Sequence, residues 1–300
     1  MMPAKARHLQ RFREQAAAHP LEPLATDHPP HLPKLKGIRA VVFDIYGTLV
    51  ISGSGDISLA EKNDRSAAFK EAFAAVGHPL ADGAEGIPAQ FFETVRAHQG
   101  RIRAERKIEF PEVEIREVWR DFLRELTERK RLPATLPADL IETLAIELEC
   151  RLNPVAPMPG LAGELSRLQT AGLPLGIVSN AQFYTPIMLE AFLEKPLEAA
   201  GFLPDLRVYS FEEREGKPST ALYAKLAAAL EKHDLAPGDV LYVGNDMRND
   251  IGPAAALGFR TALFAGDARS LRLRKEDPAL ARLQPDLVLH QLQEIGRALG

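Results

Sequence analysis

The sequence predicts an α/β fold, a parallel sheet wrapped by helices on both faces and interrupted by an inserted α-helical cap. Three observations carry this expectation. Short, β-branched-rich runs bounded by Gly, Pro or Asp alternate with stretches whose apolar residues recur at helical spacing. Between the first and second of those runs lies an interval far too long for one crossover helix. The strand-like runs end on acidic or polar residues, at the edge where sheets of this kind bind ligands.

Taken in order, residues 3–18, "PAKARHLQRFREQAAA", pattern as a basic amphipathic helix, and the prolines of "HPLEPLATDHPPHLPKLKG" then break regular structure. Residues 1–36 therefore read as an N-terminal arm and Pro-rich linker, either a packing arm or a flexible tail. From Ile38 the strand candidates are "IRAVVFD", "LPLGIVSN", "LRVYS", "DVLYVGND" and "FRTALF", with "PDLVL" as a late edge strand before a short helical tail. "GLAGELSRLQTAG" and "STALYAKLAAALEKH" are helices between them. Residues 59–151 hold "RSAAFKEAFAAVG", "IPAQFFETVRAHQGRIRAE", "EIREVWRDFLRELTERK" and "ADLIETLAIELECRL", with no convincing strand. They form the expected helical cap, and residues 37–58 and 152–300 the core.

Composition narrows the partners. Three hundred residues with 46% hydrophobic and 26% charged content are globular, and a net charge of −4 lacks the basic excess of a nucleic-acid or anionic-membrane binder. A small-molecule substrate is expected; the oligomeric state is left open. A single cysteine, Cys150, forms no internal disulfide and reads as a buried apolar filler in a reducing compartment. No run reaches the roughly 18 apolar residues of a membrane span, and the N-terminus lacks an apolar signal core. The expectation is a soluble, cytoplasmic protein.

Because the C-terminal ends of parallel strands share one edge, residues distant in sequence can meet there. Asp44 ends the first strand, Ser179 and Asn180 the second, Lys217 follows the third, and Asp246 and Asp250 follow the fourth. Singly each has a structural reading, as a turn former, a helix cap or a solvated charge. In this order, each at a strand end, they describe a site.

Four motifs, "DIYGTL", "GIVSN", "GKP" and "GNDMRND", resemble those of the haloacid dehalogenase superfamily over about residues 38–290. The resemblance implies a Rossmann-like core, a cap at the insertion and covalent catalysis. Asp44 would be the nucleophile and would be esterified during turnover. Lys217 would neutralise substrate charge and hold Asp44, Ser179 would donate to a developing oxyanion beside Asn180, and Thr48 would orient the nucleophile. Asp246 and Asp250 suit Mg²⁺, a hard cation that prefers oxygen ligands, and the resemblance adds Asp44 and the backbone carbonyl of Tyr46. Either Asn245 or Asp246 takes the usual ligand position; Asp246 keeps an acid there.

The first motif departs from the phosphatase members, which carry a second aspartate two residues after the nucleophile. Here that position is Tyr46. A positioned general acid is worth about 10²- to 10⁴-fold in rate, and a phenol with a pKa near ~10 replaces it poorly. Asp-x-Tyr resembles instead the dehalogenating branch, where halide leaves without a proton. That branch uses no metal and usually has asparagine for the first acid of the fourth motif. It also needs a cation near halide and substrate carboxylate. Arg96, Arg101, Arg103 and Arg106 offer one, although on a single helix most face solvent. Trp119 reads as cap core, and "ISGSGDIS", residues 51–58, as a flap after the nucleophile.

Three readings follow. The first is a Mg²⁺-dependent hydrolase of a small phosphorylated metabolite, through an aspartyl-phosphate. The second is a metal-independent hydrolase of the 2-haloacid dehalogenase type. The third is a non-catalytic binding protein on the same fold.

Overall fold

A computed structural model describes residues 3–54, 65–80, 84–133 and 135–299. Its strands are β1 (Ala40–Phe43), β2 (Val50–Ser52), β3 (Val155–Pro157), β4 (Leu175–Ser179), β5 (Phe202–Tyr209), β6 (Val240–Gly244), β7 (Arg260–Phe264) and β8 (Leu287–Leu289). Six of them form one parallel sheet in the order β5-β4-β1-β6-β7-β8. Chain order therefore runs outward from β1 to one edge and then restarts at β6 toward the other. This is the doubly wound, Rossmann-like arrangement, whose crevice opens where the order reverses, beside the C-terminal end of β1.

Every residue of β1, β4 and β6 is buried. A strand covered on both faces must be apolar throughout, which is why these runs stand out in the sequence. Along β1, Val41 and Phe43 pack into the larger core cluster, while Ala40 and Val42 face the opposite layer with Tyr223, Leu226 and Tyr242. The short β2 and β3 pair antiparallel to each other, apart from the main sheet. Of the expected flap, Ile51 and Ser52 belong to β2, and residues 55–58 lie outside the described residues.

The arm opens with α1 (Ala4–Ala18), and the insertion between β2 and β3 carries α2 (Ser66–Ala75), α3 (Ile87–Arg106), α4 (Ile115–Glu128) and α5 (Leu140–Leu152). The core adds α6 (Leu161–Thr170), α7 (Tyr184–Leu193), α8 (Ser210–Glu213), α9 (Ala221–Leu230), α10 (Gly252–Ala256) and α11 (Glu294–Leu299). In α4 the buried residues Val118, Trp119, Phe122, Leu123 and Leu126 fall on one face at helical spacing. Trp119 stacks against Phe91 with centroids 4.5 Å apart and touches Phe69, Phe73 and Phe122, so it is cap core as expected. Trp119→Ala should lower stability by about 3–5 kcal/mol in urea unfolding, because the cavity left among rigid rings cannot collapse.

The arm is packed. In α1, Phe12 is fully buried, Arg11 pairs with Glu147 of α5 at 3.0 Å, and Arg13 donates to the Ala191 carbonyl of α7 at 2.8 Å. The Gln15 side chain accepts the Val155 N–H of β3 at 3.1 Å. Further on, His31 bridges to Val288 and covers the outer side of β8, an edge that would otherwise present unpaired backbone groups. Among the described residues no helix is long and apolar enough to cross a membrane.

Candidate active site

Asp44 follows β1 directly, and its N–H donates to the Val243 carbonyl of β6 at 2.9 Å, which fixes it at the shared strand edge. The chain then turns tightly, with the Ile45 carbonyl accepting from Leu49 and Val50 at 2.9 and 3.0 Å. Gly47 makes this turn possible. Its φ is +80°, and a Cβ there would lie 2.6 Å from Ser270 and 2.7 Å from the Asn245 amide.

Lys217 joins the carboxylates. Its buried Nζ donates to Asp44 Oδ1 at 2.7 Å and to Asp250 Oδ1 at 2.6 Å. Asn180 brackets the Lys217 main chain, accepting its N–H at 2.7 Å and donating to its carbonyl at 3.3 Å. Burial pulls the Lys217 ammonium down, but the charges of Asp250 and Asp44 outweigh it and hold the pKa above its ordinary value. Burial likewise raises the Asp250 carboxyl, to about 6, against the pull of Lys217. Asp250 Oδ2 accepts the N–H groups of Asn245 and Asp246, both at 3.0 Å, and the Tyr242 hydroxyl lies 3.1 Å from Oδ1.

The remaining expected residues sit differently from one another. Asp246 Oδ1 accepts from the N–H of Arg248 at 2.8 Å and of Asn249 at 3.2 Å, capping the turn Met247–Ile251. Its other oxygen is paired with Arg274 at 2.7 Å. Asn245 is the residue turned toward the nucleophile's loop, where its Oδ1 accepts from Thr48 Oγ1 at 3.2 Å and its Nδ2 donates to the Ser270 carbonyl at 2.6 Å. Thr48 thus reaches Asn245. Ser179 is fully buried, donates to the Asn180 carbonyl at 3.3 Å and does not line the cavity. Tyr46 points its hydroxyl at Thr185 Oγ1, 3.0 Å away. Burial, then the nearby charge of Glu149, holds that phenol well above its ordinary pKa.

Asp44 and Lys217 open into a cavity of about 450 Å³ between sheet edge and insertion. Its far wall is largely apolar, with Phe91, Phe92, Trp119 and Leu148. Arg65 is buried on that wall, its guanidinium 4.4 Å above the Phe92 ring. The four arginines proposed from α3, Arg96, Arg101, Arg103 and Arg106, are exposed and do not line it. Arg65, Glu112 and Glu149 on the insertion, and Arg272 and Arg274 after β7, are the charged lining residues that the sequence did not single out.

For the last pair a signal existed. In "RSLRLRK" the arginines alternate with leucines, and the segment pairs with the loop after β6, Arg272 N–H to the Asn245 carbonyl at 3.0 Å and Met247 N–H to the Arg272 carbonyl at 2.9 Å. Leu273 then packs beside Met247 and Ile251, while Arg274 reaches Asp246. Arg274 does so at φ +51°, a region uncommon for residues other than glycine.

Of the oxygens expected to hold Mg²⁺, those of Asp246 and Asp250 and Oδ1 of Asp44 have partners within the chain. Asp44 and Asp250 share Lys217, Asp246 is shared between Arg274 and two N–H groups, and among the described residues no three His, Cys, Asp or Glu side chains group to hold a metal ion. As arranged, the chain's own lysine and arginine supply the positive charge to Asp246, Asp250 and Oδ1 of Asp44, while Oδ2 of Asp44 accepts from neither.

Two carboxylates on one buried lysine, at the switch point of a doubly wound sheet and under a helical insertion, define an enzyme core. The chain belongs to the haloacid dehalogenase-like hydrolase family, whose model matches residues 38–258. Solved structures similar to it include a HAD phosphatase from Thermococcus onnurineus, 16% identical, covering 88% of this chain and 98% of that one with a TM-score of 0.50. Another is the L-2-haloacid dehalogenase from Xanthobacter autotrophicus, 24% identical over 87% and 97% of the two chains, TM-score 0.45. A third, described as a HAD-hydrolase from Bacillus subtilis and bound to magnesium, is 18% identical over 88% and 99%, TM-score 0.47. At these identities the likeness is one of fold. A search of the curated proteins finds no match.

Proposed function

We propose that this hydrolase acts without a metal on a halogenated short-chain organic acid, with Asp44 as the nucleophile that displaces halide from carbon. The observation that carries this reading is Tyr46. At the position where a proton donor would serve an alcohol leaving group, the chain has a phenol bonded to Thr185 and held well above its ordinary pKa. A halide departs as a stable anion and needs no such donor.

The chemistry divides between this chain's groups. Lys217 holds Oδ1 of Asp44, so that Oδ2 is the oxygen left to attack. The new carbon–oxygen bond forms as the carbon–halogen bond breaks and the halide takes the electron pair. Water then adds to Cγ of Asp44, the Cγ–O bond to substrate breaks, and the 2-hydroxy acid leaves with an oxygen that belonged to Asp44. Arg65, buried beside Phe92 on the cavity's apolar wall, suits the substrate carboxylate or departing halide. A cytoplasmic setting belongs to the same reading and is supported by the single, buried thiol of Cys150.

The experiment is halide release from a panel of chlorinated and brominated 2-haloacids, with and without EDTA. Release that persists undiminished under chelation is the expected result. Phosphate release from a phosphomonoester panel that appears only with Mg²⁺, with no halide release, would replace this reading with the second one. That second reading, a Mg²⁺-dependent phosphatase, is favoured by one observation: Asp246 and Asp250 both line the cavity. It requires Asp246 to exchange Arg274 for the ion.

A further inference from the structure

Direct contacts join three carboxylates at the sheet edge. Lys217 Nζ bridges Asp44 and Asp250, and Asp250 Oδ2 accepts the Asp246 N–H, so the three acids belong to one cluster. Asp246 has a cation of its own. Arg274 Nη2 donates to its Oδ2 at 2.7 Å and Arg274 Nε to its Oδ1 at 3.2 Å. The geometry points to Arg274 as the residue that keeps a divalent cation out of this site, by holding the Asp246 oxygens that the ion would need. The inference rests on the metal-free reading above and adds the residue that enforces it.

The fold delivers Arg274 to Asp246. The Ser270 carbonyl accepts from Asn245 Nδ2 at 2.6 Å, Arg272 N–H donates to the Asn245 carbonyl at 3.0 Å, and Met247 N–H donates to the Arg272 carbonyl at 2.9 Å. These bonds bracket Asp246 on both sides in sequence. Leu271 and Leu273 pack beside Met247 and Ile251, and in an extended segment the residues that alternate with them point the other way. Arg274 then takes φ +51°, a conformation that a residue with a side chain keeps only where its surroundings fix it. Its planar fork suits a carboxylate.

No neighbouring cation has the same place. Lys217 is held between Asp44 and Asp250, and Arg272 Nη1 donates to the Arg269 and Leu271 carbonyls at 2.9 and 3.1 Å. By direct contact the three carboxylates face two cations, Lys217 and Arg274; without Arg274 they would face one. The Asp246 side chain is only 8% exposed, so its charge would be left buried and uncompensated. A hard divalent cation, which prefers carboxylate oxygens, is the natural replacement. Oδ2 of Asp44, which accepts from neither cation, faces no competitor for the ion from that pair.

The acid should stay in place when the arginine goes. Asp246 Oδ1 still accepts the N–H groups of Arg248 and Asn249, Asp250 N–H donates to the Asp246 carbonyl at 2.9 Å, and the Tyr223 hydroxyl donates to the Asn249 carbonyl at 2.8 Å. None of these bonds uses Arg274.

The test is a Mn²⁺ titration of the full chain, wild type against Arg274→Gly, with free Mn²⁺ read from its EPR signal. Glycine suits the positive φ, so the segment keeps its path. The expected result is Mn²⁺ affinity at least about 10-fold higher in the variant, because a like charge beside the ion has gone, with Mg²⁺ competing for the same place. Adding Asp246→Asn to Arg274→Gly should abolish the gain. Equal affinity in wild type and variant would overturn the inference, and so would a gain that survives Asp246→Asn. If Arg274→Gly does not fold, Arg274→Gln is judged by the same two criteria. Halide release is read separately. A wild type that releases halide under chelation while both chains bind Mn²⁺ alike keeps the metal-free reading and sinks the role of Arg274. A wild type that releases no halide, beside the expected Mn²⁺ result, sinks the reading and leaves Arg274 as the residue that excludes the ion.

Discussion

Asp44→Asn should lose haloacid turnover by on the order of 10⁴-fold or more, as removal of a covalent nucleophile does elsewhere, while the protein stays folded. The amide matches the carboxylate in shape, so the cavity and the turn at Gly47 are undisturbed. Charge arithmetic points the same way. In the wild type two buried carboxylates share the Lys217 ammonium; in the variant Asp250 and Lys217 form a one-to-one pair. A urea midpoint near that of wild type, no halide burst and no mass adduct form the expected set. A residual rate within about tenfold of wild type would remove Asp44 from its role.

Lys217→Met should be the most destabilising single change at the site, by about 3–5 kcal/mol, because it leaves two buried carboxylates facing each other with no counter-charge between them. The methionine stem fills the volume of the lysine stem, so the loss reports the charge and not a cavity. A double-mutant cycle sharpens the test: with Asp44→Asn in the background, one of the two repelling charges is gone, and Lys217→Met should cost measurably less. An unchanged urea midpoint for the single variant would show that the two contacts of 2.6 and 2.7 Å carry no net energy. Arginine should rescue neither stability nor rate, since a planar guanidinium cannot occupy a socket shaped around a compact ammonium.

Much of this molecule was readable beforehand, for a definite reason. Strands such as β1, β4 and β6 are buried on both faces and so must be continuous apolar runs. The residues that end them fall at one edge by topology alone, which is how Asp44, Asn180 and Lys217 were found. What was not readable depends on side-chain direction and on contacts between segments far apart. Whether Asn245 or Asp246 faces the nucleophile's loop is set by the capped turn at Met247–Ile251 and by Arg274, 28 residues away from Asp246. Asp246 and Asp250, the acids expected to hold magnesium, line the cavity, but the cations paired with them, Arg274 and Lys217, come from outside the fourth motif. The pairing of β2 with β3 joins residues on either side of the whole insertion and leaves no local signature. Arg65 lies within "EKNDRSAAFK" and Glu112 within "FPEVEIREVW", neither with the spacing of any motif.

The arm changes how the insertion meets the core. On one side α1 grips α5, α7 and β3 together through Phe12, an arginine–glutamate pair and side-chain bonds to backbone groups. On the other side the segment at Phe110–Glu112 is joined to the Lys217 loop by the two main-chain hydrogen bonds that form the Pro111–Glu215 bridge. The enclosure therefore has a riveted edge and a latched one. The cavity is therefore closed from opposite sides by contacts of different kinds, side chains of the arm at one and main chain at the other.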